Sequence, residues 1–202
     1  MEWYQYDIRE LTREEYAFWY SQMNREKQSR IERFRFEEDK YRSVAGEMLV
    51  RKAIVSWCDI PLNRIVLSVT SAGKPFAPGL PVEFNISHSE NMVVCAIDDR
   101  PIGIDIEKIC PMDLAAAQHI CTHEELIFLF GHEPAACEFA YTDEKCLLKR
   151  FFELWTAKEA VGKQSGFVDL KRDVRNCSVQ MHFINDYVMA VCQEGQTEIL
   201  CS

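Results

Sequence analysis

Long apolar runs are missing from this sequence of 202 residues. The longest uninterrupted run extends from Met92 to Ile97, far short of the roughly 20 residues that a membrane-spanning helix needs. The first residues, Met1 to Asp7, also lack the basic stretch and the apolar core of a secretory signal. We therefore expect a cytoplasmic protein with no part embedded in a membrane.

Basic residues and paired cysteines are also scarce. The chain has 23 Lys and Arg against 32 Asp and Glu, a net charge of −9, which argues against a nucleic-acid partner. Its nine cysteines are an odd number and contain no C-x-x-C pair, so they predict buried thiols in a reducing compartment. The remaining composition is that of a globular protein, long enough for one sizeable domain or two small ones.

Two familiar catalytic motifs are absent as well. No G-x-S-x-G nucleophile elbow occurs, and Ser87 and His88 are sequence neighbours whose side chains would point to opposite faces of a strand. Gly73-Lys74-Pro75 has neither the earlier glycine nor the hydroxyl residue of a P-loop. These absences argue against a serine hydrolase and a P-loop nucleotidase.

Apolar periodicity predicts strands and helices in both halves of the chain. The predicted strands are Trp3 to Ile8, Arg64 to Thr70, Glu83 to Ser87, Asn91 to Asp98, Ser178 to Ile184 and Tyr187 to Cys192. The predicted helices begin at Thr12, Asn24 and Thr122, or cover Glu37 to Cys58, Leu114 to Ile120 and Thr142 to about Gln164. A strand, helices and a pair of strands describe each half, so the sequence predicts two related subdomains that meet near residue 103.

The stretch from Pro101 to Glu107 carries the strongest chemical signal. Three isoleucines fall on one face of the predicted strand, while Gly103, Asp105 and Glu107 fall on the other, with the carboxylates about 6.5 Å apart. Two like charges beside an apolar core are costly unless they are neutralised. Mg²⁺ binds through one or two carboxylates together with water and substrate phosphates. A divalent cation would satisfy this strand; an edge strand with a wet acidic face is the alternative.

A second informative stretch lies on the last long predicted helix. Helical spacing places Phe152, Trp155, Glu159 and Lys163 on one side. Glu159 and Lys163 could form a surface ion pair four residues apart. Alternatively, Glu159 could serve as a third metal ligand or as a base, and Lys163 could meet a phosphate. The spacing leaves both interpretations open.

The histidines offer weaker support for a metal site. His119 and His123 lie four residues apart with Cys121 between them, and His132 follows. No second close pair of Cys or His residues accompanies them, so zinc is disfavoured. Glu125 lies three residues after Thr122, which predicts a capping box at a helix start.

Four stretches, taken in order, resemble the signature of one enzyme family. They are Gly73-Lys74-Pro75, Phe84-Asn85-Ile86-Ser87-His88-Ser89, Gly103-Ile104-Asp105-Ile106-Glu107, and Trp155-x-x-Lys158-Glu159-Ala160-x-x-Lys163. This pattern is similar to that of the 4′-phosphopantetheinyl transferases, in particular the larger monomeric, surfactin-synthetase-activating type that serves polyketide, peptide and siderophore synthetases. The resemblance implies an α+β fold of two pseudo-symmetric α/β subdomains, residues 1–103 and 104–202, with coenzyme A in the cleft between them.

The resemblance also implies a role for each matching residue. The ligands of Mg²⁺, or of Mn²⁺ in its place, would be Asp105, Glu107 and Glu159. Residues that bind coenzyme A would be Lys27, Arg30 and Arg42 at its 3′-phosphate, Gly73, Lys74 and Pro75 at the nucleotide, and Ser87, His88, Lys158 and Lys163 at its phosphates. The catalytic set would be Asp105, Glu159 and Lys163, with Glu159, Glu125 or a metal-bound water as the general base.

The implied reaction transfers 4′-phosphopantetheine from coenzyme A to a serine of an apo acyl or peptidyl carrier protein and releases adenosine 3′,5′-bisphosphate. The expected enzyme is a Mg²⁺-dependent monomer. Two alternatives are a catalytically silent module that binds carrier proteins and a hydrolase of the coenzyme A pyrophosphate. One departure is the loop from Gln164 to Asp169, which is shorter than in the family and leaves open how the pantetheine arm is held.

Overall fold

The computed structural model describes residues 1–71, 73–113, 115, 117–131, 144–167 and 169–193. The chain divides into two compact units, Met1–Ile102 and Gly103–Ser202, called here the N-terminal and the C-terminal unit. Together they form the α+β fold that the resemblance implies. Within the described residues, none of the helices combines the length and the apolar character needed to cross a bilayer.

The N-terminal unit contains a three-stranded sheet, a two-stranded hairpin and three helices. Its elements are β1 (Glu2–Asp7), α1 (Arg13–Ser21), α2 (Arg25–Glu32), α3 (Glu37–Cys58), β2 (Ser68–Val69), β3 (Pro75–Phe76), β4 (Glu83–Ser89) and β5 (Met92–Asp98). In the sheet, β5 lies between β1 and β4 and pairs antiparallel with both. All seven residues of β5 are buried, because the strand has neighbours on both edges and the long helix α3 packs against it.

Local sequence signals account for the helix boundaries of this unit. Thr12 and Glu15 form the predicted capping box at the start of α1, and the side chain of Asn24 caps α2. The predicted helix over Glu37–Cys58 is confirmed. It ends at Asp59, whose left-handed backbone (φ 50°) closes the last turn before Pro61.

The predicted strand from Arg64 to Thr70 is wrong over most of its length. Leu62–Arg64 forms a single 3₁₀ turn, and only Ser68–Val69 pairs, with Pro75–Phe76. The alternating apolar residues do not make a longer strand, because Ile65 and Leu67 pack into the core of the unit from an irregular segment. The alternation of apolar residues alone does not distinguish a regular strand from an irregular segment whose side chains reach the core.

The C-terminal unit repeats the plan of a strand, a long helix and a hairpin. Its elements are β6 (Ile102–Lys108), α4 (Ala117–Ile120), α5 (His123–Phe130), α6 (Glu144–Ser165), β7 (Val179–Ile184) and β8 (Tyr187–Gln193). In its sheet, β8 lies between β6 and β7 and is buried throughout, and α6 packs against β8. Each unit therefore places its last strand at the centre of its sheet beneath its longest helix.

Candidate active site

The candidate functional residues of the C-terminal unit lie where β6 meets α6. Gly103 makes this contact close: a Cβ atom added there would lie 1.9 Å from the carbonyl oxygen of Ala160 and 2.5 Å from the amide nitrogen of Gln164. Only a residue without a side chain fits such an approach. Gly103 therefore makes room for the backbone of α6.

The close approach brings Asp105 of β6 against the basic side of α6. Asp105 is only 3% exposed, so the alternative of a wet acidic face is excluded for this residue. Its Oδ1 atom lies 2.6 Å from Nζ of Lys163, which donates a hydrogen bond to it. The Lys163 side chain remains about a quarter exposed, at 27%, so the ammonium group can also meet a ligand from solvent.

Glu159, one helical turn before Lys163, belongs to the same cluster. Burial raises the pKa of its half-buried carboxyl group, the negative charge of Asp105 raises it further, and Lys163 acts in the opposite direction. Glu159 therefore lies close enough to Asp105 and Lys163 to respond to the charges of both. This arrangement of two acids and one cation is suited to a divalent cation and a phosphate.

Glu107 does not join that cluster as the side chains stand. Its Oε1 atom accepts a hydrogen bond from the indole Nε1 of Trp155 at 3.3 Å. Among the described residues, no three His, Cys, Asp or Glu side chains lie close enough together to hold a metal ion. This holds for the predicted trio of carboxylates and for His119, Cys121 and His123; His132 lies outside the described residues.

Lys158 does not occupy a position from which it could bind coenzyme A. Its side chain is fully buried, and Nζ lies 2.7 Å from Oε2 of Glu125. It also donates hydrogen bonds to the carbonyl oxygens of Leu170 (3.0 Å) and Arg172 (2.7 Å). A lysine has three N–H donors, so this lysine is saturated by protein acceptors. Its predicted contact with a phosphate is therefore corrected to an internal ion pair.

Glu125 is also fully buried, and its carboxylate oxygens are bound by other groups of the protein. Its Oε2 atom accepts from the amide of Thr122 at 2.8 Å, which completes the predicted capping box of α5. Its Oε1 atom accepts from the amide of Val174 at 3.0 Å. The role of Glu125 as a general base is therefore not supported by its geometry. The sequence predicted the capping role of Glu125 but not its buried ion pair with Lys158.

Arg42 lies on α3, and its side chain contacts the turn between β4 and β5 in the N-terminal unit. Its guanidinium donates to the carbonyl oxygen of Glu90 at 2.8 Å and pairs with Asp39. His88 and Ser87 precede this turn on β4, with Ser87 buried and His88 exposed, as neighbours on a strand should be. Arg42 and His88 are thus brought to the same end of β4.

Lys27 and Arg30 lie on α2, which packs against α3. Lys27 is half-buried, and desolvation lowers its pKa, while the negative charge of Glu47 on α3 acts to raise it. Arg30 is exposed and close enough to Lys27 to lower that pKa as well. The two cations therefore form one positively charged pair.

Gly73 and Lys74 lie in the connection from β2 to β3, and Pro75 is the first residue of β3. Gly73 has a φ of 82° with open space around it, and Nζ of Lys74 lies 3.1 Å from Oε2 of Glu83. Glu83 begins β4, so it lies about 17 Å along that strand from His88. The hairpin and the Arg42–His88 region therefore do not form one compact cluster.

These features define a two-unit α+β protein whose C-terminal unit presents acids and a lysine suited to phosphate chemistry. Residues 10–100 match the family model of the 4′-phosphopantetheinyl transferase N-terminal region, and residues 101–199 match that of the 4′-phosphopantetheinyl transferase superfamily. The chain belongs to the 4′-phosphopantetheinyl transferase superfamily, which confirms the resemblance drawn from the motifs.

Curated relatives give the same result. The chain is 34% identical to the 4′-phosphopantetheinyl transferase Sfp of Bacillus subtilis, over 96% of this chain and 78% of that protein. It is 36% identical to gsp of Aneurinibacillus migulanus, over 78% of this chain and 62% of the relative, and 40% identical to psf-1 of Bacillus pumilus, over 70% and 57%. The chain therefore spans about three-fifths of the length of the last two relatives, both of which are named 4′-phosphopantetheinyl transferases.

Proposed function

We propose that this protein transfers the 4′-phosphopantetheine group of coenzyme A to a serine of an apo carrier protein. The serine oxygen forms a bond to the phosphorus that bears the pantetheine arm. The bond from that phosphorus to the bridging oxygen of the pyrophosphate breaks, and adenosine 3′,5′-bisphosphate leaves. The names of the relatives, all transferases of this group, support the proposal.

The observation that carries the proposal is the cluster of Asp105, Glu159 and Lys163. Asp105 is buried and in contact with Lys163 at 2.6 Å, and Glu159 experiences the charges of both. The buried carboxylate of Asp105 and the half-buried carboxylate of Glu159 both favour cationic partners, because carboxylates withdrawn from water are costly without them. Such a site gains stability when a cation and a phosphorylated substrate enter together.

The chemistry of these donors fits Mg²⁺. Carboxylate oxygens are hard ligands, and Mg²⁺ is usually held by only one or two of them, with water and substrate phosphates completing its shell. Asp105 and Glu159 would hold the ion, and Glu107 would contribute if its carboxylate left Trp155. The chemistry that bound Mg²⁺ supplies is charge stabilisation on the pyrophosphate; Mn²⁺ has the same preference for oxygen.

Lys163 and Glu159 would perform different parts of the transfer. Lys163 is the partly exposed cation of the cluster. When substrate binds, the ammonium group of Lys163 would exchange its contact with Asp105 for a contact with a substrate phosphate and hold that phosphate in place. Glu159 offers a half-buried carboxylate that can accept the proton of the attacking serine. Most of the rate enhancement would come from positioning and charge neutralisation, as in other phosphoryl transfers.

We assign the coenzyme nucleotide to the N-terminal unit. Lys27 and Arg30 supply a cationic pair, and Arg42 and His88 lie at one end of β4. Ser87 and the hairpin of Gly73, Lys74 and Pro75 complete the proposed contacts. Lys74 would have to exchange its contact with Glu83 for the ligand.

Carrier partners are proposed as a class: acyl or peptidyl carrier domains of fatty-acid, polyketide or peptide synthesis. We propose that the protein acts as a monomer, because each half repeats the same plan within one chain. A reducing, cytoplasmic setting agrees with its free cysteines, among them the buried Cys95, Cys121 and Cys192.

The test is to incubate the protein with coenzyme A, Mg²⁺ and an apo carrier domain and to weigh the carrier by mass spectrometry. The expected result is a gain equal to one phosphopantetheine group, with adenosine 3′,5′-bisphosphate released. Loss of coenzyme A without a gain on the carrier would identify a hydrolase instead. Retention of both substrates would favour a silent binding module. A carrier in which the acceptor serine is replaced by alanine is the control.

A further inference from the structure

A second charged site lies on the N-terminal unit and is lined by residues other than those assigned to coenzyme A. It is a surface cavity of about 410 Å³. Its lining comes from α1, from the connection between α2 and α3, and from the first turns of α3: Arg13, Tyr16, Arg35, Glu37, Lys40 and Tyr41. This volume lies within the range of small-molecule sites, roughly 300–1,000 Å³. We call it the α1–α3 cavity.

The lining is positively charged in a protein of net charge −9. Arg13, Arg35 and Lys40 contribute three positive charges against the single negative charge of Glu37. Within the part of the chain that the structure describes, none of these three cations has a carboxylate oxygen within 4 Å. By contrast, Arg9, Arg42 and Arg51 in the same unit are each paired with an acid. The three cations are thus available to an anion from solution.

The aromatic residues of the cavity add hydrogen-bond donors. The rings of Tyr16 and Tyr41 lie 4.8 Å apart, centroid to centroid, with an angle of 32° between their planes. Burial raises the pKa of the Tyr16 hydroxyl, and nearby Tyr41 and Glu37 raise it further, so the phenol stays protonated and able to donate at neutral pH. Arg35 packs over the ring of Phe36 at 5.2 Å, which restrains its guanidinium group at the rim.

The first turn of α3 combines free backbone amides with acidic side chains. Its N-cap residue is Phe36, which offers no side-chain hydrogen bond to the amides of that turn. Uncapped amides at a helix start carry partial positive charge. The same turn carries the carboxylates of Glu37, Glu38 and Asp39, which these amides partly offset, so the attraction for an anion depends on the three cations of the lining.

We propose that the α1–α3 cavity binds a compact anion with more than one phosphate group. Guanidinium groups match phosphate oxygens in a two-point geometry, and a lysine adds a mobile point charge. None of the residues assigned above to coenzyme A lines the cavity. The proposal therefore does not depend on the transfer reaction.

The test uses the whole ¹⁵N-labelled chain and inorganic pyrophosphate in a buffer that contains EDTA, so that no metal complex forms. Two-dimensional NMR follows the backbone amides of residues 13–16 and 35–41. Three proteins are compared: the unaltered chain, the double variant Arg35→Gln/Lys40→Gln, and the charge-matched control Arg25→Gln/Arg64→Gln. Both control residues are exposed and do not line the cavity.

The expected result is saturable shifts at these amides, with the dissociation constant raised roughly tenfold or more in the cavity variant, because two charge-assisted contacts are lost. The control should stay within about twofold of the unaltered chain. Shifts that never saturate, or that weaken equally in both variants, would overturn the proposal. So would tighter binding of citrate or a hexaglutamate peptide than of pyrophosphate, since the cavity would then select carboxylates. The titration does not involve the transfer reaction, so its result can be interpreted even if the protein fails to modify a carrier.

Discussion

The two units share a plan but place different chemistry on it. Each has a first strand, a 22-residue helix and a hairpin whose last strand lies at the centre of the sheet. In the N-terminal unit the first strand contributes Tyr4 and Tyr6 to the apolar core. In the C-terminal unit the first strand buries three isoleucines and also carries Asp105 and Glu107. The shared plan thus accommodates the acidic residues of the proposed active site on β6, while the corresponding strand β1 places tyrosines against the core.

The long helices α3 and α6 also differ in the partners of their buried cations. In α3 the buried ion pair is internal: Nη2 of Arg51 lies 2.8 Å from Oε1 of Glu47, four residues earlier, and Nη1 binds the carbonyl oxygen of Ile65. In α6 the buried cation Lys158 reaches Glu125 on α5 and two carbonyl groups beyond the helix. Because α6 is fixed by contacts to other elements, the helix can present Glu159 and Lys163 on an adjacent side.

The largest expected effect on the rate of carrier modification comes from removing the charge of Asp105, which distinguishes β6 from its counterpart β1. In Asp105→Asn, the rate of carrier modification should fall about 100-fold to 1,000-fold, because Lys163 and the proposed cation lose their buried partner. Initial rates by mass spectrometry give the measurement. The control is Asp7→Asn on β1, which should keep the rate within about twofold. Equal losses in both variants would contradict the assignment to β6.

Breaking the buried pair of α6 should have the next largest effect. Lys158→Met leaves the carboxylate of Glu125 buried without its cation, which costs about 3–5 kcal/mol of unfolding free energy. Denaturant titration measures this loss, and hydrogen exchange should show faster opening of residues 169–174. Arg51→Met should also destabilise the chain but leave that segment protected. Unchanged stability in Lys158→Met would remove the argument that this lysine is structural.

Two glycines test the closeness of helix and strand in each unit. Gly103→Ala should lower the unfolding free energy by about 2–3 kcal/mol, because its Cβ would meet backbone atoms of α6 that cannot move independently. Gly46→Ala on α3 should change it by no more than about 1 kcal/mol, since the nearest atom is Cγ2 of Ile86 at 3.4 Å and alanine favours the helix. Thermal unfolding of both variants decides the point. A tolerant position 103 would mean that β6 and α6 are less tightly packed.

The smallest effect concerns the central strand β5 and appears only in alkali. Burial raises the pKa of the Cys95 thiol from an ordinary 9.0 to about 12. The stability linked to this group is therefore fully present below about pH 9 and is lost as the pH rises towards 12, because the unfolded chain loses its proton first. Unfolding free energies at pH 8 and pH 10.5 should fall less in Cys95→Ala than in the unaltered chain. Identical slopes would show that Cys95 is not the group responsible.

The sequence predicted those parts of the fold that depend on local chemistry. The capping residues Thr12, Asn24 and Thr122 and the helix Glu37–Cys58 were identified from spacing alone. The segment from Arg64 to Thr70 was not, because its apolar residues reach the core without pairing along the whole predicted strand. The hydrophobic pattern of a sequence indicates which side chains are buried, but it does not indicate whether their backbone forms a strand or an irregular segment.

The site was predicted in residue type but not in all its partners. The alternation around Asp105 and the helical spacing of Glu159 and Lys163 placed these three residues on chemically matched faces, and the structure brings them together. Lys158 was misassigned because two of its three acceptors are backbone carbonyl groups, at Leu170 and Arg172. Any residue can supply a carbonyl, so the sequence gives no signal of such a contact.

Metal binding provides the most direct measurement of the central claim, that Asp105 and Glu159 hold a divalent cation beside Lys163. Mn²⁺ can be titrated into the protein with coenzyme A present and its free signal followed by electron paramagnetic resonance. We predict one bound ion in the unaltered chain and in Asp7→Asn, and a site at least roughly tenfold weaker in Asp105→Asn and in Glu159→Gln. Equal affinity in all four proteins would contradict it.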